Sequence, residues 1–215
     1  MSEKGKWLVL IPTKKEWSQL KILESCFNAN VELCGFGPIT AAARTSQLIA
    51  AKSPARILLV GIAGTCSSGL TAGNAYQFSS VVCHGVGIGH AENHIDAVAA
   101  GWKLLDTDSA EIEPEIQLHV VEEMIESLRG QLRTVCSATA NTSEAKWLNQ
   151  MYPASVAEDM EGYGVALAAQ LADVPLHIVR GISNQVGDRD HAGWQIEEAL
   201  ESAANLAINI IRSVS

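Results

Sequence analysis

The segment Arg56-Ile57-Leu58-Leu59-Val60 constrains this chain more than any other. It is too short for a helix, and it lacks the polar alternation of a strand with one face in water. Such a run suits a strand covered on both faces. Trp7–Ile11 and Leu176–Arg180 also read as strands, with Val31–Cys34 and Arg133–Ser137 as shorter strands and 75–88 as further strand. Between them lie helical patterns over Lys14–Phe27, Pro38–Ala51, Gln117–Arg129, Glu144–Met151, Met160–Ala172 and Trp194–Ser213, while 90–115 shows no clear period. Proline stands at the start of the second, where a helix tolerates it. Strands alternating with helices predict a three-layer α/β/α sandwich with a central mixed, mostly parallel sheet. No repeat, low-complexity stretch or linker interrupts the pattern, so residues 1–215 are expected to form one domain.

Charge and cysteine usage exclude several classes. Apolar residues make up 47% and charged residues 18%, which supplies a core and argues against disorder. A formal net charge of -9 disfavours nucleic acid and anionic membranes as partners. The apolar run near the N-terminus spans six residues with no cleavage pattern, and no segment approaches the roughly 20 apolar residues that span a bilayer. The five cysteines (Cys26, Cys34, Cys66, Cys83, Cys136) are odd in number and never form C-x-x-C. This implies reduced, buried thiols in a cytoplasmic protein.

The familiar cofactor motifs are missing. Trp7–Ile11 leads into Pro12-Thr13-Lys14-Lys15-Glu16, not into a glycine-rich dinucleotide turn, and no P-loop occurs. Gly85, Gly87 and Gly89 have the wrong spacing for a dinucleotide fingerprint. His90 and His94 flank Glu92 without forming H-E-x-x-H, and no G-x-S-x-G elbow is present. No cofactor and no metal are expected.

What remains is a set of polar or small residues at strand ends. Gly61-Ile62-Ala63-Gly64-Thr65 follows the buried run, either as a tight strand exit or as a loop that lets a ligand approach the backbone. Asp159-Met160-Glu161 opens an apolar helix. Glu161 in its first turn is either a cap or a carboxylate with a task. Glu16 stands after the first strand, where an ordinary glutamate is solvated. Arg180 to Asp190 is dense in hydrogen-bonding groups and would pass alone as a polar surface loop. Together these segments suggest a convergent pocket.

Those blocks resemble the nucleoside phosphorylase and nucleosidase superfamily: Gly35-Phe36-Gly37-Pro38, then Gly61-Ile62-Ala63-Gly64, then Asp159-Met160-Glu161-Gly162 followed by Arg180-Gly181-Ile182-Ser183-Asn184. Their order and spacing match across nearly the whole chain. The stretch Arg180–Trp194 is most similar to the branch that hydrolyses futalosine in the alternative menaquinone pathway, with methylthioadenosine/adenosylhomocysteine nucleosidases next. The resemblance implies that Met160 packs on a ribose and Glu161 binds its 2′- and 3′-hydroxyls. It implies that Glu16 orients and deprotonates water, that Arg180 supports the carboxylates, and that Ser183 and Asn184 meet the purine. Ala63, Gly64 and Asp159 complete the expected substrate-binding set. The partner implied is a small purine nucleoside, and relatives are usually homo-oligomers.

Two departures refine that expectation. Where phosphorylases of the superfamily carry an arginine and a serine that hold phosphate, the matching positions here are Leu59 and Ile62. Neither can hydrogen-bond a phosphate through its side chain, which favours water as the nucleophile. Adenine-cleaving relatives have an aspartate at the position of Asn184. An amide can donate to O6 and accept from N7–H at once, which points to a 6-oxopurine, hypoxanthine or guanine. The proton donor to N7 is not named by the sequence. Phe36, His90 and Trp102 are candidates for the 5′ substituent, which in futalosine is a carboxyphenyl-bearing chain. The alternatives are an adenine nucleosidase, a phosphorylase, or a nucleoside-binding protein that has lost catalysis.

Overall fold

The computed structural model describes residues 7–26, 30–108 and 110–214. Its main sheet contains β1 (Trp7–Ile11), β2 (Asn30–Leu33), β3 (Arg56–Thr65), β4 (Ala75–Cys83), β5 (Glu115–Gln117), β6 (Leu128–Thr134), β7 (Ser155–Asp159) and β8 (Leu176–Gln185). The strand order is β7-β6-β4-β8-β3-β1-β2, with β5 attached to β4. Helices α1 (Lys14–Gln19), α2 (Ile22–Cys26), α3 (Pro38–Lys52), α4 (Thr142–Met151), α5 (Gly162–Leu171) and α6 (Ile196–Val214) surround it.

The central strands are continuously apolar because each feeds two cores. Leu8 and Leu10 of β1 join Ile57 and Leu59 of β3 in a core that includes Ala41 and Leu48 of α3 and Val165, Ala166 and Ala169 of α5. Trp7, Val9 and Ile11 join Leu58 and Val60 in the opposite core, which receives Leu23 of α2 and Ala203, Ala207 and Ile211 of α6. The layered, mixed-sheet expectation holds in this respect.

The sheet is nonetheless not a plain sandwich. β7 pairs parallel with β6 and antiparallel with β3, matching Ala157 to Thr65 and Glu158 to Gly64. The strands β3, β8, β4, β6 and β7 therefore close into a barrel-like ring, from which β1 and β2 extend. Two long strands, β3 and β8, make closure feasible, since twist accumulates along them and a register shift between Ile182 and Asn184 adds local bend.

Closure also explains the segments that differ from expectation. Gly61–Thr65 and the first part of Arg180–Asp190 are not loops: β3 runs to Thr65 and β8 to Gln185, because each is the other's partner. Ser155–Asp159, with its polar end, becomes a strand through pairing on both sides. The helix expected from Met160 begins at Gly162, with Glu161 as its N-cap.

Gln117–Arg129 is not a helix. Ile116 is buried as β5 pairs with β4, a short 3₁₀ segment covers Glu122–Ser127, and β6 starts at Leu128. The buried Gln77 side chain pins this segment, accepting from Val121 N–H at 3.0 Å and donating to the Val121 and Met124 carbonyls at 3.1 Å. Those tertiary bonds override the helical pattern.

The helix expected over Lys14–Phe27 breaks at Leu20, which caps α1 and sinks into the core; Phe27 lies outside the described residues. Among the cysteines whose side chains are described, all four are free. Only Cys34 is buried; Cys66 and Cys83 are half-buried and Cys136 is exposed, so uniformly buried thiols were too strong an expectation. No described helix is long and apolar enough to cross a membrane.

Candidate active site

A cavity of about 310 Å³ opens where the ends of β1, β3, β7 and β8 meet α1 and the start of α5. Glu16, Ala63, Gly64, Asp159, Met160, Glu161, Ser183 and Asn184 all line it. Arg180 is fully buried behind this wall.

Glu16 is delivered by a capping arrangement that the sequence Thr13-x-x-Glu16 encodes. The Thr13 side chain accepts from Glu16 N–H at 3.3 Å and its hydroxyl donates to Glu16 Oε2 at 2.6 Å. Glu16 Oε1 accepts the Ile62 N–H at 3.2 Å, which fixes the carboxylate against β3.

Glu161 accepts Gly37 N–H at 3.1 Å on Oε1 and Arg180 Nη2 at 3.3 Å on Oε2. Burial pushes its carboxyl up to about 7, with the negative charges of Asp159 and Glu16 adding to the effect and Arg180 and the Gly37 amide opposing it.

Asp159 Oδ2 takes Arg180 Nε at 3.0 Å, Arg180 Nη2 at 2.5 Å and Gly162 N–H at 2.9 Å. Its other oxygen takes the Thr134 hydroxyl at 2.6 Å. The Asp159 carboxylate is thus consumed within the protein, locking Arg180 and the start of α5. Burial works against the Arg180 charge, but Asp159, Glu161 and Glu16 together outweigh it and raise its pKa. Gly61 lies between Arg180 and Glu16: a Cβ there would sit 2.3 Å from Arg180 Nη1 and 2.7 Å from Glu16 Oε1.

Across the cavity, Asn184 Oδ1 accepts the Ser183 hydroxyl at 2.8 Å and Asn184 Nδ2 donates to the Gln185 carbonyl at 2.8 Å. These bonds fix which end of the amide is which, and each end keeps one further hydrogen-bonding position. Burial pushes the Cys34 and Cys83 thiols up to about 12 and Cys66 up to about 11, so none of the three is a ready thiolate. Among the described residues, no group of three or more His, Cys, Asp or Glu side chains forms a metal-ligand set.

A phosphorylase superfamily model matches residues 28–215. The chain belongs to the phosphorylase superfamily. Among its relatives in that superfamily is futalosine hydrolase of Streptomyces coelicolor, 30% identical over 77% of this chain and 71% of that protein. A 5′-methylthioadenosine/S-adenosylhomocysteine nucleosidase of Oceanobacillus iheyensis is 25% identical over 85% of this chain and 80% of its own length. In structure, futalosine hydrolase of Helicobacter pylori superposes with a TM-score of 0.77 at 17% identity, covering 97% of this chain and 98% of that one.

Several cavity residues of this superfamily member escaped the sequence reading. Glu158 and Thr139 line the wall, with Glu158 held by the buried Arg133 and by the Thr139 hydroxyl. Arg189, His191 and Trp194 also line the cavity; of the three candidates for the 5′ substituent, Phe36 lines it and His90 and Trp102 do not. His191 stacks on Trp194 at 4.2 Å, and the Arg189 guanidinium lies 5.2 Å from the Trp194 ring centre. Glu158 carried no signal in the sequence, because its strand is recognisable only through its neighbours.

Proposed function

We propose that this nucleosidase hydrolyses the N-glycosidic bond of futalosine, releasing hypoxanthine and dehypoxanthine futalosine in menaquinone biosynthesis. The observation that carries the reading is the convergence of two buried carboxylates, Glu16 and Glu161, on one cavity with an oriented amide, Asn184, in the same wall.

In this reading Met160 packs on the ribose and Glu161 accepts its 2′- and 3′-hydroxyls. As the C1′–N9 bond breaks, its electrons leave with the base and positive charge grows on the sugar, where the Glu161 carboxylate stabilises it. Water adds to C1′ and its proton passes to Glu16, general-base help typically worth about 10²–10⁴ in rate. A proton from solvent reaches N7 as the base leaves; Asn184 donates to O6 and accepts from the resulting N7–H, and Ser183 holds it in that orientation. Asp159 and Arg180 serve as positioning residues. Water is favoured over phosphate because Ile62 offers an apolar side chain and its N–H is already engaged by Glu16. Phe36, Arg189, His191 and Trp194 suit the aryl carboxylate of the 5′ chain. A second copy of the chain is proposed to cover some of the exposed apolar side chains, such as Ile39, Val98 or Trp102.

The test is a base-release assay on futalosine, inosine, adenosine and methylthioadenosine, with and without phosphate. Hypoxanthine release from futalosine, unchanged by phosphate and yielding the free sugar, is expected. Preferential adenine release, or a sugar 1-phosphate product, refutes the reading.

A further inference from the structure

We infer that Glu158 reads the N1–H of the base and is the second determinant, with Asn184, of specificity for hypoxanthine; this rests on the 6-oxopurine reading above. Glu158 is a cavity-lining carboxylate, only 7% exposed, that takes no part in the arrangement of Glu16, Glu161 and Arg180. Its placement comes from the sheet. Glu158 on β7 stands opposite Gly64 on β3, and Gly64 stands opposite Asn184 on β8. Residues directly opposite one another across strands share a face of the sheet. Glu158 and Asn184 therefore flank Gly64 on that face of the same cavity. Val186, another lining residue, packs close against Gly64, where a Cβ would sit 2.9 Å from Val186 Cγ2 and 3.6 Å from Asn184 Nδ2.

The hydrogen bonds of Glu158 limit what it can recognise. Oε2 takes Arg133 Nη2 at 2.9 Å and the Thr139 hydroxyl at 2.7 Å, and Oε1 takes Thr139 N–H at 3.0 Å. A carboxylate has about four acceptor positions, so one is left, on Oε1. A flat ring held in the cavity between Asn184 and Glu158 would meet an amide at one edge and this single acceptor at another. Hypoxanthine offers the matching pair, with an N1–H donor beside the O6 acceptor. Adenine reverses both, setting its N1 lone pair against the carboxylate and its 6-amino group against the amide donor. Guanine adds a 2-amino donor for which Glu158 has no second acceptor. The order that follows is hypoxanthine, then guanine, then adenine.

The experiment compares futalosine with the compound identical except for a 6-amino group, so that the 5′ chain cancels. Wild type is expected to favour futalosine in kcat/KM, and Glu158→Gln to reduce that preference by about 10- to 100-fold, mainly through loss on futalosine. An unchanged preference in folded Glu158→Gln protein overturns the role of Glu158 and leaves the 6-oxopurine reading standing. Wild type favouring the 6-amino compound overturns that reading itself.

Because the variant leaves Arg133 without its ion-pair partner, wild-type product inhibition supplies a second measurement. 1-Methylhypoxanthine, which lacks N1–H, is expected to inhibit about tenfold or more weakly than 2-methylhypoxanthine, which keeps N1–H with similar bulk. Equal potency of the two methylated bases overturns the inference.

Discussion

Replacing Gly61 with alanine inserts one methyl group between the two charged groups on which the site depends. Ordinary contact begins near 3.4 Å, so a Cβ 2.3 Å from Arg180 Nη1 demands a retreat of about 1.1 Å, and one 2.7 Å from Glu16 Oε1 demands about 0.7 Å. Arg180 cannot swing aside freely. It is fully buried, and Nε and Nη2 are bonded to Asp159 at 3.0 and 2.5 Å. Glu16 is tethered to Thr13 and to the Ile62 amide. Overpacking of this kind costs about 1–3 kcal/mol, which for a chain of this size lowers Tm by about 2–12 °C. A displacement near 1 Å in a catalytic array costs about 10²-fold in rate. The expected result is a folded enzyme whose kcat/KM for base release falls by about 10²-fold. Gly69→Ala serves as the control, since its nearest neighbour would be Ser67 Oγ at an ordinary 3.5 Å; a stability change within about 0.5 kcal/mol is expected. If Gly61→Ala retains wild-type kcat/KM and Tm, the spacing of Glu16 and Arg180 is not what the reaction requires.

Glu16→Gln and Glu161→Gln should each reduce turnover by about 10²-fold or more with folding intact; full activity in both, read by base release and circular dichroism, sinks the assignment. Glu161 also sets a pH dependence of stability. Its folded-state pKa of about 7 exceeds the ordinary 4.5, so its contribution is fully present below about pH 4.5 and is lost as pH rises through about 7. Glu161→Gln removes that loss, so the variant should gain on wild type across this window by on the order of 3 kcal/mol; parallel Tm–pH curves would refute it. Asp159→Ala strands a buried guanidinium and should destabilise by about 3–5 kcal/mol in thermal or denaturant unfolding. A cost below about 1 kcal/mol would mean that Glu161 alone neutralises Arg180.

The parts legible in the sequence are those whose cause is local. Trp7–Ile11 and Arg56–Val60 are apolar at every position or nearly so because both faces are covered, and that shows in the residues themselves. Pro38 marks the start of α3. The site residues Glu16, Glu161, Met160, Ser183 and Asn184 came from a family resemblance, whose order along the chain does not depend on knowing the fold. What only the tertiary structure decided depends on partners distant in sequence. Gln117–Arg129 has a helical pattern, yet Gln77 holds part of it in turns through hydrogen bonds with Val121 and Met124. Gly61–Thr65 and Arg180–Gln185 look like loops and are strands, because each satisfies the other's backbone. Ser155–Asp159 becomes a strand only by closing the ring between β6 and β3, and that closure brings Glu158 beside Gly64 and Asn184. Strand pairing is a contract between segments, and neither segment carries it alone.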